Sequence, residues 1–163
     1  MKIHPTLLAA TTLALLAGCG GDVLTVQGTA SVSTTVAGQA PTQQSFDFNR
    51  ATALAAGSGM LGSCSVSNGQ WSIALTRESA PAGEFKQMTL VLPPAVAGQA
   101  RLPPNATFVL GDATFTASGS CTDTSSATSG GVHVVVHCTG AHATGDSRVL
   151  SADVNLVFSN CAQ

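Results

Sequence analysis

The side chains in the body of the chain best suited to chemistry are three histidines, His133, His137 and His142. His133 and His137 stand four apart, which on a helix would put two imidazoles on one face, one turn apart, ready for zinc. The segment that holds them, Val132-His133-Val134-Val135-Val136-His137-Cys138, is too rich in β-branched residues for a helix. On a strand four residues cover about 13 Å, whereas two nitrogens on one zinc, each about 2.1 Å from it, lie within about 4 Å of one another. The pair cannot chelate one ion, so no metal is expected. The histidines belong instead on the outer face of a strand whose valines point inward.

Other patterns fare similarly. Gly57-Ser58-Gly59-Met60-Leu61-Gly62 satisfies G-x-G-x-x-G, but a dinucleotide loop needs a strand before it and a helix after it, so that N–H groups at the helix start meet the pyrophosphate. The residues after Gly62 read as strand and hairpin, and no cofactor is expected. There is no G-x-S-x-G nucleophile elbow. The carboxylates are scattered singly, without the spacing of a calcium loop. Asp123 and Asp153 are the two that a fold could bring together. No catalytic residue is assigned, and the expectation is a chain without catalytic activity.

Five cysteines remain. Cys64, Cys121, Cys138 and Cys161 form an even set with no C-x-x-C pair, which argues against zinc and for two disulfides with three possible connectivities. Cys19 stands apart, closing the tetrapeptide Leu16-Ala17-Gly18-Cys19 after Lys2 and an apolar stretch from Thr6 to Ala17. Twelve residues at about 1.5 Å each would reach only about 18 Å, short of a roughly 30 Å hydrocarbon layer. This is the plan of an export signal, not of a membrane span. The tetrapeptide resembles the lipobox of bacterial lipoproteins, in which the thiol receives a diacylglyceryl group and cleavage falls just before the cysteine. The resemblance implies a signal peptide over 1–18, a lipidated Cys19 with a short tether over 19–22, and attachment to a membrane through acyl chains, each buried CH₂ contributing about 0.8 kcal/mol. It also implies an envelope location. Gly20, in place of an acidic residue, favours the outer membrane where the organism has one and leaves the plasma membrane for a monoderm.

The elements that carry these residues read as strands. Between Val23 and Val36, Leu24, Val26, Ala30, Val32 and Val36 alternate with polar neighbours, the period of a half-buried strand. Residues 37–45 read as loop. Phe46 and Phe48 mark a short strand, and 50–56 reads as two helical turns stopped at Gly57. Asn68-Gly69 is the favoured two-residue hairpin turn, in the register that sets Val66 against Trp71 and Cys64 against Ile73. Trp71, paired with a β-branched neighbour, is expected in the core rather than stacked on a ligand. Met88, Leu90 and Leu92 give another strand. A turn at Gly111-Asp112 places Phe108 opposite Phe115. A turn centred on Ser129-Gly130 places Cys121 directly opposite Cys138, as a non-hydrogen-bonded pair with Cα atoms about 4.5 Å apart, within bridging reach. That pairing leaves Cys64 with Cys161. The final run buries Leu150, Ala152, Val154, Leu156 and Phe158 on one face. About eight antiparallel strands with turns between them predict an all-β sandwich or open barrel over a single domain, 23–163.

Composition sets the outer bounds. Only 9% of residues are charged and the net charge is −2, so there is no cationic footprint for nucleic acid. A hydrophobic share of 44% excludes an extended disordered chain. The lipobox, the cysteine before a short hairpin, Ser126-Ala127-Thr128, Gly131, His133, Thr139 and a closing strand ending in Cys161 together are similar to the small surface lipoprotein antigens of mycobacteria, over Ser63 to Cys161. Two features depart from that family: the extra pair Cys121 and Cys138, and the shortened tether. The resemblance implies a lipid-anchored β domain seen by host receptors chiefly through its acylated end, and it carries no catalytic residues over. The expectation is a surface antigen, adhesin or structural component of the envelope. One alternative is a carrier sheltering an apolar ligand between its sheets; the other is an enzyme whose residues gather from distant strands.

Overall fold

A computed structural model describes residues 22–162. Cys19 and the expected signal peptide, 1–18, lie outside them. The chain forms β1 (Thr25–Thr35), β2 (Thr42–Ala53), β3 (Met60–Ser67), β4 (Gln70–Arg77), β5 (Phe85–Leu92), β6 (Asn105–Leu110), β7 (Ala113–Ser118), β8 (Cys121–Asp123), β9 (Ser126–Thr128), β10 (Gly131–Ala141) and β11 (Val149–Ser159). They build two antiparallel sheets, one ordered β2-β1-β11-β10-β8 with β9 also on β10, the other β3-β4-β5-β6-β7. The fold is an all-β sandwich.

Alternation drives the layering. In β11, Leu150, Ala152, Val154, Leu156 and Phe158 are all buried, and they face Val26, Ala30 and Val32 of β1 and Val132, Val134 and Val136 of β10 on the same side of the sheet. Ile73, Leu75, Met88, Leu90, Phe108 and Phe115 supply the facing layer. The rings of Phe46 and Phe85 stack across the two sheets with centroids 4.0 Å apart. Burying each such side chain stabilises the fold by about 1.5–3 kcal/mol, and together they form one core cluster between the sheets.

The three hairpins take the registers their turns predict. Val66 opposes Trp71 and Cys64 opposes Ile73 around Asn68-Gly69, whose positive φ angles of 51° and 76° suit a type I′ turn. Phe108 opposes Phe115, although the ring that meets Phe108 at 6.3 Å is that of Phe85. Cys138 opposes Cys121 and is bonded to it, with Cα atoms 4.0 Å apart. The second disulfide joins Cys64 to Cys161, 97 residues on. It fixes the last residues along the edge of β3, where Ala162 N–H donates to the Cys64 carbonyl and Val66 N–H to the Ala162 carbonyl.

Two segments differ from expectation. Residues 37–45 are not all loop and 50–56 is not a helix, because β2 runs from Thr42 to Ala53 beside β1. Pairing with β1 overrides the weak helical preference of the alanines. Asn49, Arg50 and Ala51 bulge out opposite Gln27, after which Thr52 regains the ladder against Val26 and Leu54 is buried. Gln44 crosses to the other sheet, its amide donating to the Gly83 carbonyl and accepting from Phe85 N–H. Among the described residues the strand count rises to eleven, partly because the run from Cys121 to Thr128 divides in two. At the break the Asp123 carboxylate takes Ser125 N–H at 2.7 Å, and Ser125 Oγ takes Val135 N–H at 2.9 Å.

Candidate functional site

The break between β8 and β9 helps to frame a cleft of about 320 Å³. One wall is the β3–β4 hairpin, with Val66, Gly69 and Trp71; the other is Ser125, Ser126 and Ala127 at the edge of the first sheet, with Val132 beside them. Pro93, Pro94, Ala95 and Arg101, from the connection between β5 and β6, complete it. The cleft is the mouth of the space between the sheets. Trp71 and Val66 lie on the face of the hairpin that buries Cys64 and Ile73, and Ala127 opposes the buried Val132, yet the two faces do not close on one another here. Trp71, expected as core, is therefore half-buried at the rim of the core.

The polar side of the cleft is internally satisfied. Arg101 Nη1 donates to Asp123 Oδ2 at 2.7 Å, and the Asp123 side chain has no exposure while that of Arg101 keeps 31%. A carboxylate so placed is stabilised by its countercharge and by Ser125 N–H. Arg101 thus brings guanidinium donors to the cleft with much of its charge balanced from beneath. What the cleft offers is a largely apolar lining, one indole and one partly neutralised cation, the makings of a binding surface.

The histidines lie elsewhere. His137 Nδ1 is 2.6 Å from Asp153 Oδ1, its direct cross-strand partner, and His133 Nε2 is 2.9 Å from Asn155 Oδ1. Both sit on the outer face, opposite the buried valines, as their alternation requires. His137, Asp153 and Asn155, with Thr29, Ser31 and Val135, border a shallower hollow of about 290 Å³. Among the described residues no group of three or more His, Cys, Asp or Glu side chains could hold a metal ion. Asp123 and Asp153 are not brought together: Asp123 pairs with inward-facing Val136 and Asp153 with outward-facing His137, so they project from opposite faces of the sheet. A third polar cluster binds Asp146 to Arg148, whose guanidinium also lies 5.3 Å from the centre of the Phe115 ring. Hydrogen bonds from the Arg148 side chain and backbone lower the Asp146 pKa to about 2.

Sequence reasoning locates the histidine face and both disulfides but misses the cleft. The available signal is the connection from Pro93 to Pro104, with four prolines, mostly small or apolar residues and one charge. Comparison with protein-family models, with curated proteins and with solved structures gives no match.

Proposed function

We propose that this chain is an exported envelope lipoprotein, held to a membrane by an acylated Cys19, whose β-sandwich acts by presenting surfaces to partners rather than by turning over a substrate. The observation that carries the reading is the tetrapeptide Leu16-Ala17-Gly18-Cys19 at the close of a short apolar run. Two disulfides agree with it, since such bonds persist in oxidising compartments outside the cytosol. The anchor leaves the domain little room, because β1 starts at Thr25. An antigen, adhesin or structural role at the envelope is the corresponding function, with the outer membrane favoured by Gly20. The interior packed with phenylalanine, leucine and valine favours this over a carrier whose ligand lies between the sheets. The internally bonded Asp123 and the outward Asp153 give an assembled active site no support.

Metabolic labelling with an alkyne fatty acid, followed by membrane fractionation, tests the proposal. Wild type should take up label and partition with membranes, and Cys19→Ser should lose both. Label retained by the serine variant, or wild type recovered unlabelled in the soluble fraction, would overturn it.

A further inference from the structure

The connection from Pro93 to Pro104 is exposed from Pro94 through Pro103, contains no acidic residue and carries Arg101 as its single charge. Among the described residues, the large hydrophobic side chains more than half exposed are Val23 at 56%, Val96 at 52% and Leu102 at 66%. Two of these project from this connection, and the third stands where the chain enters the domain. A run of contacts links the two places. The Val23 carbonyl accepts from Asn160 Nδ2 at 2.9 Å, and the next residue, Cys161, donates its N–H to the Gly130 carbonyl at 3.0 Å. Gly130 lies in the turn of the β9–β10 hairpin, whose Ala127 faces Pro93, Pro94 and Arg101 across the cleft.

Covalent geometry limits how far this surface can stand from an anchor at Cys19. Three residues lie between Cys19 and Val23, and the four Cα-to-Cα steps span at most about 14 Å, no more than the roughly 14 Å radius of gyration of a domain this size. Such a tether cannot hold the sandwich clear of the lipid. Exposed apolar side chains beside a short anchor lower their free energy by entering the boundary between headgroups and acyl chains, where an indole is also favoured.

Resting on the lipid-anchored reading above, we infer that the 93–104 connection and the rim of the cleft at Trp71 form a membrane seat, its occupant the lipid surface itself. Val96 and Leu102 enter the headgroup–acyl boundary, Trp71 lies at that level, and the free donors of Arg101 meet phosphate oxygens. The domain is thereby oriented, with the outer face bearing His133 and His137 left for other contacts.

Trp71 is the single tryptophan of the chain and reports directly. The lipidated protein, purified from membranes, is reconstituted on phosphatidylcholine vesicles with plain or brominated acyl chains. Burial of the rim by several ångströms predicts quenching of Trp71 emission by at least about twofold in brominated vesicles. The variant V96D/L102D, altered at exposed positions, should keep its circular dichroism and still sediment with vesicles through its acyl chains, but lose the quenching. Wild type that sediments with equal emission in both vesicles, or a variant that sediments and stays quenched, overturns the seat while leaving the anchor intact; a protein bound to the connection in place of lipid gives the first of these results. Lipidated wild type that fails to sediment removes the anchor, and the seat with it.

Discussion

Replacing Cys64 and Cys161 together by alanine should be the more damaging of the two disulfide deletions. The bond spans 97 residues, against 17 for Cys121–Cys138. In the chain-entropy treatment, opening the longer loop frees the unfolded chain by about 4.7 kcal/mol and the shorter by about 3 kcal/mol. The native state loses more in the first case, because Ala162 N–H to Cys64 and Val66 N–H to Ala162 depend on the same tether, each contributing about 0.5–1.5 kcal/mol. Against a total stability of about 5–15 kcal/mol, the loss is a large fraction. With a urea slope near 2 kcal/mol/M, the midpoint of C64A/C161A should fall by about 3 M, and that of C121A/C138A by about 1.5 M. The assay is equilibrium unfolding followed by Trp71 fluorescence, with hydrogen exchange at Val66 as a local check. Equal midpoints, a reversed order, or a loss below about 1 kcal/mol for C64A/C161A would refute the argument that loop length and the C-terminal tether set the difference.

The same geometry predicts three further outcomes. Asp146 titrates at about 2 in the folded state against an ordinary 3.8, so its pair with Arg148 stabilises the fold above the ordinary value and that contribution fades as pH falls from 3.8 toward 2; Asp146→Asn should flatten the urea-midpoint profile across that window and leave its slope above pH 5 unchanged. Arg101→Ala should destabilise by about 1–3 kcal/mol, below the loss for a fully buried pair because Arg101 is partly exposed, and D123N in the same chain should recover part of the loss in a double-mutant cycle. Gly28→Ala should destabilise by at least about 2 kcal/mol, since Gly28 holds φ at +113° and a Cβ there would run into the Asn155 carbonyl oxygen; thermal unfolding reads it.

Local pairing is the part of the fold legible in the sequence. Asn68-Gly69, Gly111-Asp112 and Ser129-Gly130 each fix a register, and once Ser129-Gly130 sets Thr128 against Gly131 the ladder carries Cys121 to Cys138. Burial alternates with it, which puts His133 and His137 on the outer face. Long-range pairing leaves weaker marks. The neighbours of β1 are β2 and β11, and no turn signal records the second of these. The stretch after Phe48 carries a helix-tolerant composition, and only the ladder with β1 and the burial of Leu54 make it strand. Alternation assigns Trp71 to the right face of its hairpin, but it describes a face and not what stands across from it. Near the hairpin tip none of the described residues closes over the indole, so a core position becomes the wall of a cleft. The same is true of Asp123, whose partner Arg101 comes from a connection with no periodicity to place it.

The proposed envelope anchorage depends above all on the state of Cys19, and intact-mass spectrometry of the protein extracted from the membrane reads that state directly. The predicted species begins at Cys19 and carries the added mass of a diacylglyceryl group, with or without a further acyl chain on its amine. A mature chain that begins elsewhere, or one that begins at Cys19 with an unmodified thiol, would contradict it.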